Sequence, residues 1–336
     1  MSRRIAMASI ALAASLSVRP PAALADPQLA DFDYPHAVQR YDFRSQGQDL
    51  SMAYMDIKAA QPGARTVVLL HGKNFCGATW ESVIKALHGA GYRVVVPDQI
   101  GFCKSSKPEA YQFSLHQLAA NTRALLGKVG VERPIVMGHS MGGMLAMRYA
   151  LMYGSDTGGL VVVNPLGLED WKAKGVPIVT VDELYARELK TSADSIKKYQ
   201  LNTYYGGQWK PEYDRWVSML AGMYKGDGGT RVAWNQALTS DMIFAQPVVY
   251  ELSRISIPTL LLIGLKDNTA IGRDRAPPDV ARTLGNYSEL AKQTQERIPH
   301  ATLVTFPELG HSPQVQDPER FNTTLLEQLK KLTPGG

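Results

Sequence analysis

The stretch Pro134-Ile135-Val136-Met137-Gly138-His139-Ser140-Met141-Gly142-Gly143-Met144 fixes the fold class of this 336-residue chain. A short apolar run ends in Gly-His-Ser-Met-Gly. Met144, Leu145, Met147, Tyr149, Ala150 and Leu151 then follow in a helix-like pattern. The pattern predicts a strand, a sharp turn and a helix, with Ser140 at the tip. So tight a turn admits only small residues two positions either side of the serine, which accounts for Gly138 and Gly142. At the helix start the Met141 N–H points toward any anion formed beside Ser140. Glycine-rich turns also produce this pentapeptide without any chemistry, so the flanking chain has to decide its meaning.

Working outward, Thr66-Val67-Val68-Leu69-Leu70 is a continuous apolar run, of the kind buried on both faces of a parallel sheet. Tyr92 to Val96 and Gly159 to Val163 read the same way. Between them lie a helix from Trp80 to Ala90 and a second one capped by Ser114, with Leu115, Leu118, Ala119, Thr122, Leu125 and Leu126 on one face. Strands alternating with helices predict a parallel α/β sheet. Upstream, Tyr41–Arg44 and Leu50–Ile57 flank Ser45-Gln46-Gly47-Gln48 as a hairpin, and Asp26 to Val38 has no period and is expected to form a surface arm.

The alternation stops at Leu166. From there to about Arg254 the chain is helical in pattern and aromatic, and holds every tryptophan except Trp80. An inserted helical cap is expected over 166–254, between core segments 26–165 and 255–336. Such a cap is expected to set substrate size, so that replacing it with a short linker alters chain-length preference more than reactivity toward a small probe. The α/β pattern resumes with Thr259–Ile263 and ends with Ala301–Phe306 and a helix opened by Pro318.

The first 25 residues are of another kind. Arg3-Arg4, an apolar run from Ile5 to Val18, and Ala23-Leu24-Ala25 are the three parts of a secretory signal peptide, with cleavage expected after Ala25. The run is too short to anchor the chain in a bilayer. An exported protein, periplasmic or secreted, is therefore expected. Loss of Arg3, Arg4 and Arg19 lowers the formal charge from +5 to +2. A near-neutral chain without a basic cluster gives no reason to expect a nucleic acid partner.

A serine hydroxyl needs a base to take its proton, and the base needs a third group to fix its tautomer. Asp267 follows the strand Thr259–Ile263, and His311 follows the strand ending at Phe306. In an open α/β sheet the carboxyl ends of the strands share one edge, so Ser140, Asp267 and His311 can meet there. Asp98 and Asp241 are rivals for the acid. Of the seven histidines, His71 is expected to hold its own loop, His139 to turn its side chain away, and His36, His88, His116 and His300 to lie on surfaces or helices.

The whole pattern resembles the α/β-hydrolase superfamily in its lid-bearing branch. The resemblance rests on His71-Gly72 with Trp80 downstream, Asp98-Gln99-Ile100-Gly101-Phe102, Gly138 to Gly143, Gly264 to Asp267, and Gly310-His311-Ser312-Pro313. It implies Ser140 as nucleophile, His311 as base and Asp267 as orienting acid. It further implies an oxyanion hole from the N–H groups of Met141 and Lys73. In some relatives the acid ends the preceding strand, but that position here is Asn164, which carries no charge. Epoxide hydrolases and haloalkane dehalogenases have an aspartate where this chain has Ser140. Lys73-Asn74-Phe75-Cys76 also departs from the glycine-rich loop of many lipases.

The expected function is thus an exported serine hydrolase acting on a small ester-like substrate. A carbon–carbon hydrolase of ring-cleavage products and a receptor with a vestigial triad are the alternatives. No His/Cys ligand cluster and no Gly-x-Gly-x-x-Gly after a strand point to a metal or an organic cofactor. The two cysteines, Cys76 and Cys103, fit either a disulfide or two free thiols packed near the site.

Overall fold

The computed structural model describes residues 29–332, so the leader expected over residues 1–25 lies outside the described part. One sheet of eight strands organises the rest, in the order β1-β2-β4-β3-β5-β6-β7-β8. Strands β1 (Val38–Ser45) and β2 (Gln48–Ile57) form the hairpin, closed by Gln46 and Gly47 at φ 49° and 74°. Two positive φ values in a two-residue loop suit the twist of the flanking strands. β2 is antiparallel to β4 (Arg93–Pro97). From β4 onward all neighbours are parallel: β3 (Thr66–Leu70), β5 (Ile135–His139), β6 (Gly159–Val163), β7 (Thr259–Gly264) and β8 (Ala301–Phe306).

The unbroken apolar runs follow from burial on both sides. Val68, Leu70, Val136, Val162 and Leu261 face one core; Val67, Leu69, Ile135, Met137, Val161 and Leu262 face another. The first core is closed by α2 (Leu115–Lys128) and α3 (Met141–Tyr153). The second is closed by α1 (Glu81–Gly89) and the C-terminal α11 (Pro318–Lys331). Ser114 caps α2 as expected, its side chain accepting from the Gln117 N–H at 3.0 Å. Turning successive residues into two apolar layers keeps the interiors of β3, β4, β6 and β7 apolar, which is why these strands could be read from their composition.

Between β6 and β7 run four longer helices, α4 (Val181–Glu188), α5 (Ala193–Thr203), α6 (Asp214–Met223) and α7 (Gly229–Ala245). Many aromatic residues of this stretch serve packing: Tyr205 and Tyr213, between α5 and α6, stack with centroids 3.9 Å apart, and Trp216 of α6 is buried. After β7 come α8 (Pro278–Ala281) and α9 (Tyr287–Arg297); after β8, α10 (Pro313–Gln316). Among the described residues no helix is long and apolar enough to cross a membrane.

The described part of the segment expected to be a surface arm does run over the surface, but it is anchored there by three side chains. Leu29 is buried, Phe32 packs near Trp216, and the Tyr34 hydroxyl donates to Asp98 Oδ2 at 2.7 Å. Its apolar residues are too widely spaced to show a period, yet each finds a pocket.

Candidate active site

Ser140 sits between β5 and α3 at φ 58° and ψ −122°, a left-handed backbone that a serine adopts only under constraint. The constraint is visible in the glycines. A Cβ on Gly138 would lie 1.9 Å from the Gly142 carbonyl oxygen, and one on Gly142 would lie 2.1 Å from that of Leu70. The Ser140 carbonyl then accepts from the N–H groups of Gly143, Met144 and Leu166 at 3.0–3.1 Å, which locks the turn.

His311 lies beyond β8 and is fully buried. Its Nδ1 is 2.7 Å from Asp267 Oδ2. A carboxylate oxygen accepts, so Nδ1 carries the proton and Nε2 is left as a lone-pair base. That Nε2 is buried and has no hydrogen-bond partner among the described residues. The bond from the Ser140 hydroxyl that base catalysis needs is therefore not made in this structure and has to form as substrate binds. Asp267, just past β7, is itself held: Oδ1 accepts from the Thr269 N–H at 2.8 Å, and Oδ2 accepts from Asn164 Nδ2 at 2.9 Å. Asn164 also bonds both backbone groups of Gly264, accepting at 2.9 Å and donating at 3.1 Å. Sequence reasoning used Asn164 only to dismiss it as an acid. Its place at the end of β6, beside β7, was the signal that it touches the acid.

The rivals for the acid are occupied or elsewhere. Asp98 accepts from the Gly77 and Lys104 N–H groups and from Tyr34, and so fastens loops. Asp241 belongs to α7. His71 donates from Nδ1 to the Gly72 carbonyl and accepts the Gln99 N–H on Nε2, holding its own loop. Burial lowers its pKa, against the opposing pull of Asp98. His139 corrects the expectation of a side chain turned away. Its Nε2–H donates to the His311 carbonyl at 2.8 Å and the two rings lie 4.8 Å apart. Burial, then the nearby His311, keep it well below the ordinary histidine pKa. His139 ends β5, and the loop after β8 crosses the strand ends to place the His311 carbonyl on its ring.

Lys73 lines the same cavity as Ser140, and Met141 opens α3 directly after it. Among the described residues no turn, loop or capping bond engages the N–H of either. The Lys73 ammonium pairs with Glu188 of α4 at 2.7 Å. Ser140, Lys73 and Asn74 open into a cavity of about 730 Å³, walled on its far side by residues of α4, α5, α6 and the 268–274 loop. Much of that wall is polar, including Thr191, Tyr199, Tyr224 and Thr269.

Cys76 and Cys103 form a disulfide with Cα atoms 5.8 Å apart, resolving the choice left open by the sequence. It joins the loop after β3 to the loop after β4. His71, Asp98 and Cys103 are near enough to suggest a metal cluster, but their donor atoms are taken by Gln99, by three other donors and by the disulfide. The set does not fit a cation.

The family model described as "Alpha/beta hydrolase family" matches residues 67–324. A probable hydrolytic enzyme from Pseudomonas aeruginosa PAO1, known as a crystal structure, is 60% identical with a TM-score of 0.89, over 91% of this chain and 98% of that one. A 2-hydroxy-6-oxo-6-phenylhexa-2,4-dienoate hydrolase of Burkholderia cepacia is 27% identical over 78% of this chain and 87% of its own. Epoxide hydrolase A of Mycobacterium tuberculosis is 39% identical, but over only 29% of this chain and 30% of its own length.

Proposed function

The chain belongs to the alpha/beta hydrolase family, and we propose that it is a serine hydrolase cleaving carboxylic esters of modest size through an acyl-enzyme. The observation that carries this is the His311–Asp267 pair, bonded at 2.7 Å beyond the ends of β8 and β7, together with the constrained positive-φ turn that holds Ser140 at the end of β5. Ser140 Oγ attacks the ester carbonyl while His311 Nε2 takes its proton. The carbonyl oxygen gains the charge and meets the N–H groups of Met141 and Lys73, donors that matter most in the transition state. The C–O bond breaks, the alkoxide leaves with the proton from His311, and an acyl-Ser140 remains. Water then attacks, His311 again takes a proton, and Ser140 is released with the acid product. Asp267 stays ionised and stabilises the imidazolium that forms in each half.

The helical segment 166–254 serves as a lid in this reading, since its helices wall the cavity opposite Ser140. A volume of about 730 Å³ suits substrates of drug-like size rather than a polymer. Export after cleavage near Ala25 is part of the same proposal, and the Cys76–Cys103 disulfide supports an oxidising compartment. N-terminal sequencing of protein from the periplasm or medium should begin near Asp26; recovery of only uncleaved cytosolic chain would contradict export.

A carbon–carbon hydrolase is the second reading, supported by the dienoate hydrolase relative. Purified protein assayed on short p-nitrophenyl esters and on a yellow dienone separates the two. Turnover of the esters with no bleaching of the dienone is expected; the reverse pattern would replace the first reading with the second.

A further inference from the structure

The loop that carries the proposed oxyanion donor is not held by the sheet alone. Lys73 Nζ pairs with Glu188 Oε1 at 2.7 Å, and Glu188 Oε2 also accepts the Tyr224 hydroxyl at 2.7 Å. Asn74 Nδ2 donates to the Tyr204 hydroxyl at 2.8 Å. The Phe75 ring stacks on that of Tyr204 with centroids 5.6 Å apart. Cys76 is tied to Cys103. Four consecutive residues are thus fastened, three of them by side chains from the helical segment.

Tyr204 has a second set of contacts. Its carbonyl oxygen accepts the His311 N–H at 3.1 Å, and its ring lies 4.6 Å from the His311 imidazole. A Cβ on Gly310 would come within 2.5 Å of the same carbonyl, so the two chains are in close apposition. One buried tyrosine therefore touches both the base and the loop bearing the oxyanion donor.

We infer that Tyr204 is a positioning residue that couples the helical segment to the chemistry, by setting the distance between the Lys73 N–H and the base. This rests on the serine hydrolase reading above. Oxyanion donors act only within a narrow range of distance, and a displacement of about 1 Å can cost on the order of 10²-fold in rate. The helical segment is then no mere sieve. Excising it should slow reaction with a small probe at least as strongly as it alters chain-length preference, against the expectation from sequence that preference would change more.

Tyr204→Phe is the decisive variant, because it keeps the ring contacts with Phe75 and His311 and deletes the hydroxyl, which bonds Asn74 and also meets the Tyr199 hydroxyl. Tyr199→Phe, which removes the second contact alone, is its control and should leave kcat unchanged. On a short p-nitrophenyl ester we expect the kcat of Tyr204→Phe to fall about 10-fold with KM within about 2-fold, a partial version of losing a donor outright. Affinity for an alkyl boronic acid, whose tetrahedral adduct on Ser140 needs the oxyanion donors, should fall by the same factor as kcat/KM. Affinity for the product acid should hold, and the thermal midpoint should fall by no more than the few degrees that one buried hydrogen bond is worth. Tyr204→Leu, which also removes the ring from His311, should in addition shift the acidic limb of the kcat/KM–pH profile; if it does not fold, Tyr204→Phe still decides. Wild-type kcat and boronate affinity in Tyr204→Phe would overturn the inference alone. A wild type that neither hydrolyses short esters nor is labelled by a fluorophosphonate would overturn both readings.

Discussion

The Asn164 amide donates to the same oxygen of Asp267, Oδ2, that takes the His311 Nδ1–H, at 2.9 Å and 2.7 Å. Asn164 adopts φ 39° to reach it, a conformation that asparagine tolerates better than most residues. The amide orients the carboxylate so that one oxygen lies in line with the ring. Asn164→Ala should lower kcat about 10-fold while leaving KM nearly unchanged. Asn164→Asp should be worse, since two carboxylates cannot both stay ionised at this distance. Asp267→Asn removes the charge itself and should cost on the order of 10⁴-fold in kcat, the scale seen for that exchange in serine proteases. Steady-state kinetics on folded variants check all three; near-normal turnover in Asp267→Asn would remove it from the triad.

The Cys76–Cys103 bridge closes a segment with a separation of 27 residues. Chain-entropy reasoning puts its contribution near 3.5 kcal/mol, estimated as about 2.1 + 1.5R ln n cal/mol/K for a loop of this size. The double variant Cys76→Ala/Cys103→Ala should lose roughly that much in denaturant unfolding. Thiol titration of unfolded, unreduced wild type should find no free thiol, and two free thiols would contradict the bridge.

Two glycine substitutions should move stability in opposite directions. Gly142→Ala drives a methyl into the Leu70 carbonyl at 2.1 Å, backbone against backbone, and should cost at least about 3 kcal/mol or prevent accumulation of folded protein. Gly127→Ala, within α2 and with nothing within 4 Å of the new Cβ, should stabilise by about 0.5–1 kcal/mol. Melting both against wild type tests the strained turn with its own control.

Stability should fall on the acid side for an identifiable reason. His71 and His139 are both buried and have folded pKa values below the ordinary 6.5. The unfolded chain therefore binds more protons as pH drops through 6.5. Each histidine then removes up to about 1.4 kcal/mol per pH unit, until its own folded pKa is reached. The contribution is whole above pH 6.5 and lost below it. Urea midpoints measured from pH 8 to 5 should stay level and then decline, and a level curve throughout would refute the neutral assignment.

Much of this architecture was legible in the sequence because each layer used a short code. Val67 to Leu70 and Val161 to Val163 are apolar without alternation, which only a sheet covered on both faces requires. Gly138 and Gly142 announced the turn through the space they leave. The order Ser140, Asp267, His311 followed from strand ends. What stayed hidden were contacts between distant loops. Nothing local marks Tyr204 as the neighbour of both Asn74 and His311, since it reads as one of many aromatic residues in a helical stretch. The His139–His311 contact was missed for the same reason: it depends on how β5 and the chain after β8 approach, which no local pattern encodes. Leu29, Phe32 and Tyr34 were likewise too sparse to show that they pack.

The central claim is that Ser140 is the nucleophile. The most direct test is mass spectrometry of the peptide bearing residue 140 after reaction with a fluorophosphonate. Wild type should carry a single phosphonyl adduct on Ser140, and Ser140→Ala should carry none. Equal labelling of the two proteins, or an adduct on another residue of the wild type, would contradict the account.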